Sequence, residues 1–202
     1  MAEVVPVVLA SASPRRLELL SRIGILPTVA AADLDESQRN GEEPEQYVAR
    51  VALEKALCIG PRFLDSAVIA ADTAVVLDQR VFGKPTNLAE ARAMLEELAG
   101  QTHCVMTAVA VIAPVSPSAG QGSPRTQHVT IETAQVTMVP ADPSELSWYV
   151  STLEPMDKAG SYAIQEVGAA FVERVEGDPT TVIGLPLRAT ITLLRMAGVR
   201  WP

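Results

Sequence analysis

Leu9-Ala10-Ser11-Ala12-Ser13-Pro14-Arg15-Arg16-Leu17-Glu18-Leu19-Leu20 passes from an apolar strand end through a hydroxyl-bearing turn into a helix. Ser13 is placed to cap that helix, and Pro14 suits its first position, where a missing N–H costs nothing. Arg15 and Arg16 then fall in the first helical turn, beside unpaired backbone N–H groups and the positive end of the helix dipole. Cations there are electrostatically misplaced unless an anion lies against them. A phosphate would engage the Ser11 and Ser13 hydroxyls, the free amides and the guanidinium groups together. The plainer alternative is two solvated or ion-paired surface arginines.

Outward from this stretch, strand and helix signals interleave. A strand over about 6–10 leads into a helix over about 14–23, and Pro44 opens a second helix that runs to about Ile59. Ala67–Ala71 reads as a buried strand, interrupted at Asp72-Thr73 and resumed over 74–77. Asn87 caps a helix ending near Ala99, two β-rich runs cover about 102–113 and 127–139, and Asp142-Pro143 starts another helix. Tyr162–Val175 reads as a hairpin and Pro186–Ala197 as a final helix. The interleaving predicts an α/β protein with a mixed sheet. The stretch over about 114–126, rich in Pro, Ser and Gly, is expected to form a flexible surface insert.

Composition narrows the function. Apolar residues make up 48% and charged residues 20% of 202 residues, which suits a globular domain with a substantial core. The formal charge of −8 argues against general adhesion to nucleic acid or anionic lipid, so an anionic ligand must be held by a few placed cations. The first residues carry neither a basic segment nor a long apolar run, so no signal peptide is expected. No apolar stretch approaches the roughly 18 residues of a membrane span. Cys58 and Cys104 lie in apolar segments and are expected to be buried reduced thiols of a cytoplasmic protein.

Asp72 is the sharpest single residue. A carboxylate directly after Val-Ile-Ala-Ala, at the end of a buried strand, lies where α/β proteins place ligands, and it can take a proton from water or hold a divalent metal. Glu36, in the acidic loop Asp33-Leu34-Asp35-Glu36, is a second candidate metal ligand, although acidic loops are commonly just solvated. Lys55 lies on an apolar helix, where a lysine also serves as a snorkelling residue. Lys84, in Gly83-Lys84-Pro85-Thr86, can reach a phosphate as a point charge, though the segment fails the Walker pattern. No Ser-His-Asp or Cys-His set is evident. Arg15, Arg16, Lys55 and Lys84 with Asp72 and Glu36 suit a polyphosphate cleaved by an activated water with a metal.

Ser11-Ala12-Ser13-Pro14-Arg15-Arg16, Asp35-Glu36, Glu54-Lys55-Ala56, Ala71-Asp72-Thr73, Gly83-Lys84-Pro85, Met94–Gly100, Asp157-Lys158-Ala159-Gly160 and Gly184-Leu185-Pro186-Leu187 together carry a family resemblance. In this order and spacing the chain resembles the Maf family of septum-formation-inhibitor-like nucleotide pyrophosphatases over nearly its whole length. The resemblance implies one domain over 1–202: an elongated mixed β-sheet with flanking helices and two lobes around a central cleft, like the inosine-triphosphate pyrophosphatases. It implies hydrolysis of a nucleoside triphosphate to the monophosphate and pyrophosphate with Mg²⁺ or Mn²⁺, and a homodimer. By motif, Asp72 would accept the proton and contact metal, Glu36 would help hold the metal, and Arg16, Lys55 and Lys84 with Ser11 and Ser13 would bind the triphosphate.

Three positions imply the substrate. The branch acting on dTTP and UTP carries Arg, Thr and Gln where this chain has Arg15, Thr73 and Gln165, whereas the branch acting on 7-methyl-GTP tends to Trp, Gln and Glu. A Gln amide both donates to and accepts from a pyrimidine edge. The expected role is removal of non-standard pyrimidine nucleotides from the pool. The rivals are a 7-methyl-GTP pyrophosphatase and a nucleotide-binding regulator of cell division. Glu166 departs from the family's usual glycine, and Asp157 with Lys158 reads equally as a structural ion pair.

Overall fold

The computed structural model describes residues 5–116 and 124–201. Among these, seven strands form one mixed sheet, with helices on both of its faces. The strands are β1 (Val7–Leu9), β2 (Thr28–Val29), β3 (Ala67–Leu77), β4 (Arg80–Phe82), β5 (Thr102–Ile112), β6 (Gln127–Met138) and β7 (Val172–Glu176). Their order is β2-β1-β3-β5-β6-β7, with β4 also on β3. β1 runs parallel to β2 and β3; all other pairs are antiparallel. The helices are α1 (Pro14–Arg22), α2 (Pro44–Ile59), α3 (Leu88–Leu98), α4 (Pro143–Ser151), α5 (Pro179–Ile183) and α6 (Leu187–Met196).

β3 organises everything around it. It is one continuous strand of 11 residues, so the expected interruption at Asp72-Thr73 is corrected. Both residues keep the ladder with β5, Asp72 opposite Ala108 and Thr73 opposite Thr107. Polar side chains do not break a strand whose backbone groups stay paired.

The strand's alternation sorts its side chains into separate packing regions. Val68, Ala70, Ala74 and Val76 pack with Val48, Ala52, Ala56 and Ile59 of α2. Ala67, Ile69 and Ala71 face the opposite way, against Leu19 and Leu20 of α1 and Leu193 and Leu194 of α6. Farther along that face, Val75 joins a different core with Leu95 and Leu98 of α3 and Leu146 and Tyr149 of α4. Asp72 belongs to the α2 side, and Thr73 falls in the break between the two cores of the other side.

The edge of β3 away from β5 is notched. β1 pairs with it over Ala67–Ile69 and β4 over Val75–Leu77, which leaves residues 70–74 without a neighbouring strand on that edge. The Ser11–Ser13 turn follows β1 on one side of the notch, and Gly83-Lys84 follows β4 on the other. The β3–β4 turn uses left-handed residues at Asp78 (φ 48°) and Gln79 (φ 67°), the geometry of a tight hairpin.

The hairpin expected over Tyr162–Val175 is replaced by 3-10 turns (Val167–Phe171) leading into β7, which pairs with β6. The Glu154 carboxylate takes the Val167 and Gly168 N–H groups at 3.0 and 2.9 Å, removing donors that a hairpin would need. α5 was not anticipated; Asp178 caps it by accepting from Thr180 N at 2.8 Å, with Pro179 at its start. Cys58 is exposed and Cys104 half-buried, correcting the expectation of two buried thiols, since Cys58 lies on the solvent side of α2. Of the insert expected over about 114–126, residues 117–123 lie outside the described residues. Its flanks are tied down: Val115 N donates to the Leu64 carbonyl at 2.8 Å. Arg125 donates to the carbonyls of Ala113, Gly60 and Ser66 at 2.6, 2.6 and 2.7 Å. No described helix is long and apolar enough to cross a membrane.

Candidate active site

The notch opens into a cleft of about 250 Å³ whose lining includes Ser13, Arg15, Arg16, Glu36, Lys55, Asp72, Thr73, Lys84 and Gln165. Nine of the ten residues singled out from the sequence thus share one cavity. The tenth, Ser11, does not line it; its Oγ accepts from Arg16 Nη1 at 3.2 Å and from Ser13 N at 3.2 Å. Ser13 stands at the helix start as expected, but its hydroxyl makes no capping bond.

On the α2 side, Lys55 Nζ lies 2.8 Å from Asp72 Oδ1 and 2.7 Å from Glu36 Oε2. Lys55 and Asp72 side chains are each 8% exposed, so these charges face little water. Two of the three ammonium protons are used, and one is left for a ligand. Asp72 Oδ2 is buried and has no hydrogen-bond partner. Burial raises the Asp72 carboxyl above the usual carboxylate range, and Lys55 and Arg16 offset only part of that. Tyr47, also lining the cleft, is pushed up to about 12 by burial, with Asp72 and Glu36 adding to the effect.

The loop bearing Glu36 is held by Arg50 of α2, a contribution the sequence reading missed. Arg50 donates to the Ser37 carbonyl at 3.0 Å, to both carboxylate oxygens of Glu42 at 2.6 and 2.9 Å, and to Glu54 at 2.9 Å. An Arg four residues from a Glu on one helix face was the available signal.

On the other side, Arg16 is fixed at each nitrogen. Nε donates to the Gly184 carbonyl at 2.9 Å, Nη1 to Ser11, and Nη2 to Thr73 Oγ1 at 3.2 Å. None of these partners is charged. Burial lowers the Arg16 pKa from the ordinary arginine value, against the attraction of Asp72 and Glu36. Gly184 approaches closely with φ +113°; a Cβ there would stand 3.1 Å from Thr73 Oγ1.

Arg15 spans the mouth of the cleft, donating to Asp157 Oδ2 at 2.7 Å and to the Asp157 carbonyl at 3.0 Å. Lys158 Nζ reaches Asp157 Oδ1 at 2.7 Å and Glu166 at 3.5 Å, so Asp157 and Lys158 do form an ion pair. Gly160 N donates to the Gly83 carbonyl at 3.1 Å, tying this segment to the turn that carries Lys84. Lys84 is exposed at the rim, and among the described residues it has no ion-pair partner.

The cleft thus brings Arg15, Arg16, Lys55 and Lys84 together with Asp72 and Glu36. The Maf-like protein family matches residues 6–197, and the chain belongs to that family. It is similar to the dTTP/UTP pyrophosphatase of Anaeromyxobacter sp. strain Fw109-5, with 49% identity covering 95% of this chain and 89% of the relative. It is also similar to the dTTP/UTP pyrophosphatase of Myxococcus xanthus, with 46% identity covering 96% and 94%. Among solved structures, the Staphylococcus aureus Ham1 protein aligns with TM-score 0.47 and 14% identity, covering 95% of this chain and 98% of that one.

Proposed function

We propose that this protein is a metal-dependent nucleoside triphosphate pyrophosphatase that hydrolyses dTTP and UTP to the monophosphate and pyrophosphate. The observation that carries the reading is the unpartnered Asp72 Oδ2 in a cleft that also holds Arg16, Lys55, Lys84 and Glu36. A carboxylate oxygen without a partner can take a proton from water. Water attacks the α-phosphorus and gives its proton to Asp72 Oδ2. The new bond is water oxygen to α-phosphorus; the bond that breaks joins α-phosphorus to the bridging oxygen, which leaves with pyrophosphate. Arg16, Lys84 and the remaining Lys55 proton neutralise charge on the phosphates, Ser13 offers a hydroxyl, and Ser11 acts through Arg16. Arg15, Thr73 and Gln165 are read as the positions that set base preference, and the Gln165 amide suits a pyrimidine edge.

The donor set fits Mg²⁺ or Mn²⁺. Glu36 Oε2 and Asp72 Oδ1 flank the Lys55 ammonium, Asp72 Oδ2 has no partner, and no group of three or more acidic, His or Cys ligands occurs among the described residues. A hard cation of this kind commonly takes one or two carboxylates and completes its shell with water and substrate phosphates. When bound, it would polarise phosphate oxygens.

The same reading takes residues 1–202 as one domain of a cytoplasmic homodimer that clears non-standard pyrimidine nucleotides. Light scattering measures the dimer. The activity is tested by pyrophosphate release from dTTP, UTP, CTP, GTP and 7-methyl-GTP with Mg²⁺, Mn²⁺ or chelator. Metal-dependent release strongest for dTTP and UTP is expected. Preference for 7-methyl-GTP would overturn the base-site reading, and silence on every substrate would overturn the reaction.

A further inference from the structure

The donors and acceptors behind Arg16 have a fixed direction. Thr107 on β5 is fully buried, and its Oγ1 donates its single proton to the Thr181 carbonyl at 2.7 Å. Its contact with Thr73 Oγ1, at 2.9 Å, must therefore be one in which Thr73 donates and Thr107 accepts. Thr73 Oγ1 in turn accepts from Arg16 Nη2. The chain runs one way, from Arg16 to Thr73 to Thr107 to the carbonyl of Thr181. Thr73 consequently has no proton left for a ligand.

The two threonines are direct cross-strand partners, and they fill the break between the two cores on that face of the sheet. Gly184 closes over the same point: its carbonyl takes Arg16 Nε, and its bare Cα leaves room for Thr73 Oγ1.

We propose that Thr107 is a positioning residue which, through Thr73, holds the Arg16 guanidinium in the cleft. This rests on the pyrophosphatase reading for its kinetic consequence but not for its structural one.

The test compares Thr73→Val, Thr107→Val, the double variant and Thr107→Ser, each checked for folding by circular dichroism. Each single valine variant is expected to lower kcat/KM about tenfold, the scale of one lost hydrogen bond to a charged group. The double variant should lose no more than either single, because one relay is cut at two points. Thr107→Ser, which keeps the hydroxyl, should stay near wild type. Without substrate, the NMR exchange rate of the Arg16 Nε–H should rise at least about fivefold in every valine variant and not in Thr107→Ser, a readout that stands even if no triphosphate is hydrolysed. Additive losses in the double variant, or unchanged Arg16 exchange, would each overturn the proposal.

Discussion

Two neighbouring residues of one strand serve opposite sides of a sheet, and the sides are built differently. Toward α2, Asp72 meets Lys55 and Lys55 meets Glu36, so one cation lies against two carboxylates. Toward α1 and α5, Thr73 and Thr107 stand with Arg16, whose bonds all go to neutral oxygens. The first group carries a surplus negative charge and the second a surplus positive one. The strand thus separates a cluster of buried ions from a cluster of hydroxyls around one guanidinium. The construction differs because the costs differ. Buried ions demand partners, and losing one strands the other, whereas hydroxyls satisfy one another without net charge.

The sharpest way to break this contrast is Lys55→Met. It leaves Asp72 and Glu36 facing each other without a cation and should cost about 3–5 kcal/mol of stability, with turnover lost. Urea unfolding should also show the Lys55→Met/Asp72→Asn double variant to be more stable than Lys55→Met alone. A wild-type midpoint for Lys55→Met would mean that the α2 side is not held by its ion pairs. Asp72→Asn keeps the shape but removes the proton acceptor, so kcat should fall at least about a hundredfold with circular dichroism unchanged. Near-normal turnover would take Asp72 out of the chemistry.

Lys84 sharpens the comparison because it belongs to neither built side. Lys84→Ala should lower kcat/KM about tenfold while changing stability by less than about 0.5 kcal/mol. A drop in melting temperature would show that the rim lysine has a structural partner. The smallest effect concerns pH. His103, two strand positions beyond Val105 on the hydroxyl side, has its pKa lowered by burial from 6.5 to about 4, with Nε2 2.7 Å from Tyr162 Oη. It is held neutral in the fold, so its contribution is complete above about pH 6.5 and fades as pH falls toward 4. Thermal melts across that window should drop in the wild type and less steeply in His103→Phe. Parallel slopes would assign the acid sensitivity to other groups.

Much of this was legible in the chain. Ser-Pro at the start of α1, Asn87 before α3 and Asp142-Pro143 before α4 are local signals, and each helix begins where its signal falls. Some candidate residues were legible as residue types out of place, arginines at a helix start and an aspartate ending an apolar run, whereas Thr73 and Gln165 came only from the family resemblance. What escaped notice depends on pairing between distant segments. β3 reads as broken at Asp72-Thr73 only if the ladder to β5 is unknown. The segment after Tyr162 reads as a hairpin only if Glu154 is not known to hold its amides. The partners of Lys55 come from a loop and a strand, 19 and 17 residues away, which no helical spacing reveals.

The notch beside residues 70–74 bears on solubility as well as on chemistry. A strand edge without a neighbour invites pairing with another molecule, and proteins usually blunt such edges with charge, short length or cover. Here the bare edge lies inside the sheet, bounded by β1 at one end and β4 at the other, with Lys55 and Arg16 nearby. It is too short and too enclosed to seat an incoming strand. The sheet's outer margins are guarded in other ways: β2 is only two residues long, and β7 presents Glu173, Arg174 and Glu176 to solvent. The unpaired edge at the centre is thus bounded at both ends by strands of the same sheet.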